Sequence, residues 1–312
     1  MDLRSIDAYA TRKRSRMDDV TLSVFVENEL KVIVPQMYDR LFPELDARKH
    51  IPIGTNVAAG AMAWAYDSAD KRGKAKFLGA NATDMPRADV SKKRQTFPIR
   101  TIVSSYGWSI EEIEAAKFAG TPLDAMKAEA ARRAIAELEH EVLLFGDVSR
   151  NLPGFLTNPA TPLVVLPNGD WLATATPDEV IADLNALVDQ IWIGTDKVHR
   201  ANTLLLPLPH FRHIQTTRIP DTDIPIVEFF RRSNPEIREI LPLTELISSG
   251  AGGTPQALAY QKDPGMQSGV IPLAFQQLEA QAHGFEVVVP VRERVGGTVW
   301  YYPFSGAFGI GL

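Results

Sequence analysis

The sequence lacks cysteine. This absence excludes disulfides, thiolate nucleophiles, and metal or iron–sulfur sites that use cysteine ligands. No apolar run approaches the roughly 18 to 20 residues that span a bilayer, and the first residues lack the apolar core of a signal peptide, so we expect a protein that is cytosolic when made. Of the 312 residues, 45% are hydrophobic and 23% are charged, which is typical of a globular protein with a sizeable core.

Familiar catalytic and cofactor motifs are also missing. The sequence contains no nucleophile elbow, phosphate-binding loop, dinucleotide-binding glycine pattern or H-E-x-x-H zinc motif. We therefore predict no catalytic, cofactor or metal site, and a protein that is not an enzyme. His210 and His213 are three residues apart, but without a nearby carboxylate ligand we interpret them as surface or capping residues.

Two further clusters have plain structural interpretations. The run from Gly250 to Gly253 lies between serines and a Thr-Pro pair, which is typical of a loop. Glu137, Glu139 and Glu141 are two residues apart on a predicted helix, so they cannot converge on one point, and we expect them on a solvated face.

Charge is distributed unevenly around a net value of −5. Residues 1–16 carry a net charge of +3 and residues 65–100 a net charge of +5, whereas acidic residues cluster between 101 and 200. Separated charges of this kind allow pairing between copies of the chain, although solvated helix faces and a flexible arm are the preferred explanation when the charges are taken alone. The arm residues that we expect to contact a neighbouring subunit or DNA are Arg12, Lys13, Arg14 and Arg16.

A long two-stranded ribbon is predicted between 61 and 106. Residues 61–67 alternate as a strand does, and residues 90–106 resemble its return partner. The polar segment between them cannot build a core, so the ribbon either moves freely or lies on something else. The basic residues of its tip, which we predict to contact another subunit, are Lys71, Arg72, Lys74 and Lys76.

Helix signals are strong before and after the ribbon. Residues 18–42 indicate a first helix, or a helix followed by a turn. Ser109 and Glu112 form a capping box for a short helix, and Thr121 is the predicted N-cap of a helix of about 24 residues that ends at Gly146. This spine helix carries apolar residues at four-residue steps, and the predicted core stripe is Met126, Ala130, Ala134, Leu138 and Val142.

The remaining chain mixes helices and strands, so the predicted class is α+β. A capping box at Thr176 begins a helix that runs to about Gly194. Further elements are a strand at 203–206, a helix after Pro209, a helix at 226–232, a strand at 237–243, and a final hairpin of 285–295 with 298–302 around Gly296 and Gly297.

This order of elements resembles the major capsid proteins of tailed phages with the Hong Kong 97-like fold. It is similar to the branch that was formerly known only as a domain of unknown function. The segments that carry the resemblance are Gly120–Asp124, Ala130–Arg133, Leu144–Asp147, Leu152–Asn158, Thr203–Pro207, Thr216–Arg218, Tyr260–Pro264 and Gly296–Val299.

The resemblance implies a division of the chain into four parts. Residues 1–50 are the N-terminal arm and first helix, and 51–108 are the extended loop that covers an adjacent subunit. Residues 109–159 and 285–312 are the peripheral domain, which holds the spine helix, and 160–284 are the α+β axial domain.

The resemblance also implies a structural function without a cofactor. Pentamers and hexamers of the chain assemble into an icosahedral shell that encloses phage DNA. We expect separate scaffold and portal proteins, at most nonspecific contact with packaged DNA, no membrane partner, and assembly in the host cytoplasm before the chain becomes part of the virion capsid. Two alternatives stay open: an encapsulin-like nanocompartment shell, and a cytosolic α+β enzyme or binding protein with an unrecognised site.

Overall fold

A computed structural model of the chain describes residues 42–54, 57–77, 87–119 and 126–312. Leu45–Leu312 forms one compact unit, distinct from Met1–Glu44. The helix predicted within 18–42 and the N-cap predicted at Thr121 lie outside the described residues.

The helices of the described residues are α1 (Ala47–His50), α2 (Ile110–Ala119), α3 (Met126–Phe145), α4 (Pro177–Gly194), α5 (Leu208–Thr216) and α6 (Ile226–Ser233). The strands are β1 (Ile53–Gly54), β2 (Ala63–Arg72), β3 (Asp89–Pro98), β4 (Arg100–Ser109), β5 (Leu163–Val165), β6 (Thr203–Leu206), β7 (Glu239–Pro242), β8 (Gln256–Tyr260), β9 (Gln267–Val270), β10 (Leu273–Gln277), β11 (Gln281–His283), β12 (Glu286–Val295), β13 (Thr298–Trp300) and β14 (Gly306–Ile310).

These strands form four sheets. A five-stranded sheet has the order β5-β14-β8-β6-β7, and β1-β9-β13 form a second sheet. In the third sheet, β12 pairs with β4 along its whole length on one side and with β10 and β11 on the other. The antiparallel pair β2–β3 forms a ribbon of its own. The chain is therefore α+β, as the sequence predicts.

The capping boxes predicted at Ser109 and Thr176 are confirmed. The Ser109 hydroxyl accepts from the Glu112 backbone N–H at 3.1 Å, and the Glu112 carboxylate accepts from the Ser109 N–H at 3.1 Å. Thr176 and Glu179 exchange the same pair of bonds at the start of α4. Helix α4 then buries Val180, Leu184, Leu187 and Ile191 over the five-stranded sheet.

The predicted stripe of the spine helix α3 is wrong in most positions. Met126, Ala130, Ala134 and Leu138 are exposed, and only Val142 is buried. Four-residue steps drift by about 40° each on a helix of 3.6 residues per turn, so the stripe turns by roughly 160° from its first member to its last. The buried residues are instead Ala131, Ile135, Glu139, Val142, Leu143 and Leu144.

The predicted return strand of the ribbon is two strands. Only β3 pairs with β2, from Asp89 to Pro98, whereas β4 begins two residues later and pairs with β12 in another sheet. The change of sheet occurs at Pro98, which has no N–H to continue a ladder, and at the buried Ile99. The ribbon strands also extend to Arg72 and Asp89, into the segment predicted as an irregular insert.

The predicted final hairpin does not form. Strand β12 pairs with β4, β10 and β11, whereas β13 pairs with β9. Gly297 has a φ of +75°, which favours glycine. A Cβ atom at this position would also clash with the Pro153 carbonyl. The two glycines thus carry the chain from one sheet to the next, with Gly296 and Gly297 bonded to the backbone of Val270.

Several strands pair across the boundaries of the predicted domains, and the division into those domains stays a prediction. Residues 267–283, placed in the axial domain, form β9 to β11 and pair with strands of the predicted peripheral and loop regions. Strand β14, placed in the peripheral domain, lies between β5 and β8 in the five-stranded sheet. Both exchanges are long-range pairings, which local sequence patterns do not record.

Candidate inter-subunit surfaces

The ribbon is the largest feature of the described chain without a core of its own. Each strand has ten residues, which at about 3.3 Å per residue spans roughly 30 Å. Every residue from Asp67 to Arg72 and from Asp89 to Arg94 is exposed. Ion pairs on its surface, Arg94–Asp67 at 2.7 Å and Arg72–Asp70 at 2.7 Å, stabilise it only weakly because both are solvated.

Aromatic packing holds the base of the ribbon to the body. The Trp64 ring lies 5.4 Å from that of Phe97 across the two strands, and the Tyr66 ring meets the edge of Tyr301 at 5.0 Å. Trp64 is buried with Ile99, Val270 and Val299 in a small core. The ribbon is thus fixed at one end and solvated at the other.

The structure places the four predicted tip residues together. Lys71 and Arg72 end β2, and Lys74 and Lys76 follow in a segment without regular secondary structure that is exposed throughout. Phe77, the last described residue of this segment, is fully exposed. A fully solvated phenylalanine among cations is typical of a surface that another molecule covers. Residues 78–86 and the arm residues Arg12, Lys13, Arg14 and Arg16 lie outside the described residues.

A charged cluster that the sequence interpretation missed joins α1, α3 and β12. Arg48 donates two hydrogen bonds of 2.6 Å to the Glu139 carboxylate and one of 3.1 Å to Glu293. Both glutamates are buried, so the expectation that Glu139 lies on a solvated face is wrong. Glu137 and Glu141 are exposed, as expected. The cluster lines a cavity of about 520 Å³, beside Phe275.

The electrostatics of this cluster are unbalanced, because one guanidinium faces two carboxyl groups. Burial, and then the nearby Glu139 carboxylate, raise the pKa of Glu293 to about 8, against the opposing effect of Arg48. Glu293 therefore keeps its proton to a higher pH than an ordinary glutamate side chain does. The hydrogen bond to Glu139 raises the pKa of Arg48 above its usual value. The Arg48 guanidinium thus joins the two carboxyl groups.

A second polar contact attaches α3 to the axial region. His140 Nε2 lies 2.8 Å from Glu245 Oε1. This hydrogen bond to His140 lowers the pKa of Glu245 despite its partial burial. The spine helix is thus linked by polar side chains to α1, to β12 and to the segment after β7.

The two histidines considered as ligands lie in α5. His210 is buried with its ring edge-on to Trp171 at 6.1 Å, and burial lowers its pKa. Within the described ranges, no group of three or more histidine or acidic residues is arranged to hold a metal ion. Nor does any helix of the described chain have the length and apolar character that a bilayer crossing requires.

Comparison with known proteins gives a consistent assignment. A family model described as "Major capsid protein" matches residues 73–308. No curated protein sequence matches the chain significantly. Among solved structures, the capsid of Myoviridae phage XM1 is similar with a TM-score of 0.79 and 15% identity, over 91% of this chain and 98% of that chain.

More distant structures share the same fold. The capsid of a native GTA particle has a TM-score of 0.61 and 13% identity, over 89% of this chain and 94% of that chain. A virus-like particle from Pyrococcus furiosus has a TM-score of 0.54 and 16% identity, over 83% of this chain and 90% of that chain. At these identities the likeness concerns the fold, and it confirms the predicted Hong Kong 97-like capsid fold.

Proposed function

The chain belongs to the major capsid protein family, and we propose that pentamers and hexamers of it build an icosahedral shell around phage DNA. Its role is structural: it is a component of a virion capsid that assembles from copies of itself. The observation that carries the finer proposal is the ribbon, which is anchored at its base and exposed over its outer half. A shell gains stability when such an extension buries its surface on a neighbouring subunit.

The ribbon contact is proposed to be electrostatic and apolar together. Lys71 and Lys74 form no ion pair with any described residue, and Phe77 at the end of the segment is fully exposed. These groups, with Arg72 and Lys76, are placed to meet an acidic or apolar surface on the adjacent subunit.

The basic arm is proposed to contact a neighbouring subunit rather than DNA. Arg12, Lys13, Arg14 and Arg16 are complementary to a surface such as the one that bears Glu137 and Glu141, both of which are exposed. With a net charge of −5, the chain is a poor general ligand for phosphate, so contact with packaged DNA is nonspecific at most.

The remaining parts of the proposal concern partners and chemistry. We expect separate scaffold and portal proteins, assembly in the host cytoplasm, and no catalytic activity.

Limited proteolysis tests whether the ribbon covers a neighbour. In unassembled protein, trypsin should cut first between Lys71 and Lys76, because this segment is exposed and contributes no core. In assembled shells the same sites should be protected. Equal resistance in both forms, or equal sensitivity in both, would contradict the proposed contact.

A further inference from the structure

Strand β4 leaves one side of its backbone without a strand partner in the described part of the chain. It pairs with β12 in continuous register, from Arg100 opposite Val295 to Ser109 opposite Glu286. Within the described residues, no strand pairs with its other side. Ten residues make this a long edge, since strands commonly have five or six.

Two hydrogen bonds to side chains identify which backbone groups of β4 point outward, away from β12. Lys127 donates to the Gly107 carbonyl at 3.2 Å, and the Ser109 N–H donates to the Glu112 carboxylate at 3.1 Å. In an antiparallel strand, the N–H and C=O of alternate residues point to the same side. The outward groups nearer the start of β4 are therefore those of Thr101, Val103 and Ser105. In the described part of the chain, no hydrogen bond uses them.

Between Thr101 and Ser105, the edge has none of the features that normally keep strand edges apart. Soluble proteins protect such edges with charges, proline, bulges or short strands. Residues 101–109 contain no charged residue and no proline, and their register with β12 has no bulge. The Val103 side chain is 71% exposed. This part of the edge therefore offers an apolar side chain as well as the unbonded backbone groups of Thr101, Val103 and Ser105.

We propose that the outer edge of β4 pairs with strand β2 of a second copy of this chain. The proposal rests on the proposed function, in which the ribbon covers a neighbour, and it names the place where the ribbon lies. Pairing would satisfy the outward groups of Thr101, Val103 and Ser105 and extend the β4–β12 sheet across the subunit boundary.

Strand β2 is the suitable half of the ribbon. The Ile99 N–H donates to the Met62 carbonyl at 2.9 Å, so even-numbered residues near the start of β2 face β3 and odd-numbered residues such as Ala65 and Ala69 point their backbone outward. The outer edge of β3 is instead interrupted by Pro98, which has no N–H for a neighbouring strand, whereas β2 contains no proline.

A proline at position 103 tests the edge directly. The Val103 N–H points away from β12, so Val103→Pro removes no bond of the monomer, and proline is accepted at such edge positions. We expect Val103→Pro to keep the wild-type melting temperature but to form no sedimenting shells, whereas Val103→Ala forms them. Ile102→Pro, which removes an inward N–H and a buried side chain, should lower the melting temperature. Shells from Val103→Pro at the wild-type yield would overturn the edge pairing.

Engineered disulfides test the partner even if Val103→Pro folds poorly. Because the chain has no cysteine, Val103→Cys combined with Ala65→Cys or with Ala69→Cys introduces only the intended pair. At least one of these double variants should give cross-linked multimers on a denaturing gel after oxidation of shells, and Val103→Cys alone should give none. Absence of cross-links in both would overturn β2 as the partner. Failure of the wild-type chain to form either shells or rings of five or six subunits would instead contradict the proposed function.

Discussion

At the scale of single residues, the buried carboxyl pair of Glu139 and Glu293 is the least expected feature of the chain. The carboxyl groups lie on different elements and share the guanidinium of Arg48. Charges taken out of water are costly unless they are paired, and here a retained proton on Glu293 reduces the cost. The cluster therefore connects α1, α3 and β12 in a way that depends on pH.

We predict that the cluster makes the unassembled protein less stable as the pH rises. The pKa of Glu293 is raised from 4.5 to about 8 in the folded chain, so the folded state binds more protons than the unfolded state between these values. The stability from this group is fully present below pH 4.5 and is lost as the pH rises through about 8. Glu293→Gln, which keeps a hydrogen-bond donor without titrating, should flatten this dependence.

Urea unfolding at several pH values between about 5 and 9 measures the effect. The difference in free energy of unfolding between wild type and Glu293→Gln cancels the contributions of other groups, including His50, whose pKa burial lowers. A difference that does not change with pH would show that Glu293 is ionised throughout this range.

The cluster shows which residue-level features a sequence leaves hidden. Glu139 lies four residues after Ile135 and three before Val142, in the middle of the face that α3 buries. The charge of Glu139 favours a solvated position, but its spacing from Ile135 and Val142 indicates a buried one. Its partners Arg48 and Glu293 are 91 residues before it and 154 residues after it, so no local pattern predicts them.

At the scale of elements, the residues that begin helices were predictable from the sequence. The buried face of a helix was less predictable. The capping boxes at Ser109 and Thr176 depend on residues three apart, and both form as predicted. Which face of α3 is buried depends on the helical repeat of 3.6 residues and on long-range contacts. The predicted stripe used four-residue steps and took no account of either. The Gly-Gly pair at 296–297 marks a change of sheet, because the pairing partners of β12 and β13 lie far away in the sequence.

The corrected face of the spine helix predicts a contrast between two substitutions. Ile135 is 1% exposed, so Ile135→Ala should destabilise the unassembled protein by about 2–5 kcal/mol. Leu138 is 36% exposed, so Leu138→Ala should cost less than about 1 kcal/mol.

Chemical denaturation of the two variants beside wild type decides between the two faces. Each variant is the control for the other, since both remove branched aliphatic atoms from the same helix. Equal losses, or a larger loss for Leu138→Ala, would restore the originally predicted stripe and contradict the packing described for α3.

At the scale of the whole molecule, the exposed outer half of the ribbon supports the proposal that the chain works as part of an assembly. Its outer half exposes every side chain from Asp67 to Arg72 and from Asp89 to Arg94. Isolated two-stranded ribbons are marginally stable in water, and a neighbour that buries one surface supplies the missing contacts. A sequence shows that such a segment lacks a core, but only the assembly determines where it lies.

Charge reversal at the ribbon tip should separate folding from assembly. With Lys71, Arg72, Lys74 and Lys76 all changed to Glu, we expect a folded monomer with the wild-type melting temperature and a loss of shells in sedimentation, because the tip contributes no core. The matched control exchanges each residue for the other basic type, Lys for Arg and Arg for Lys, and should assemble. Normal shells from the Glu variant would exclude an electrostatic role for the tip.

The most direct test of the account is negative-stain microscopy of the purified chain. A capsid protein of this fold should give closed shells, or rings with five or six subunits, and their sedimentation should show that most of the protein is assembled. Only monomeric particles at every protein concentration, without shells or rings, would contradict the central claim that this chain builds a capsid.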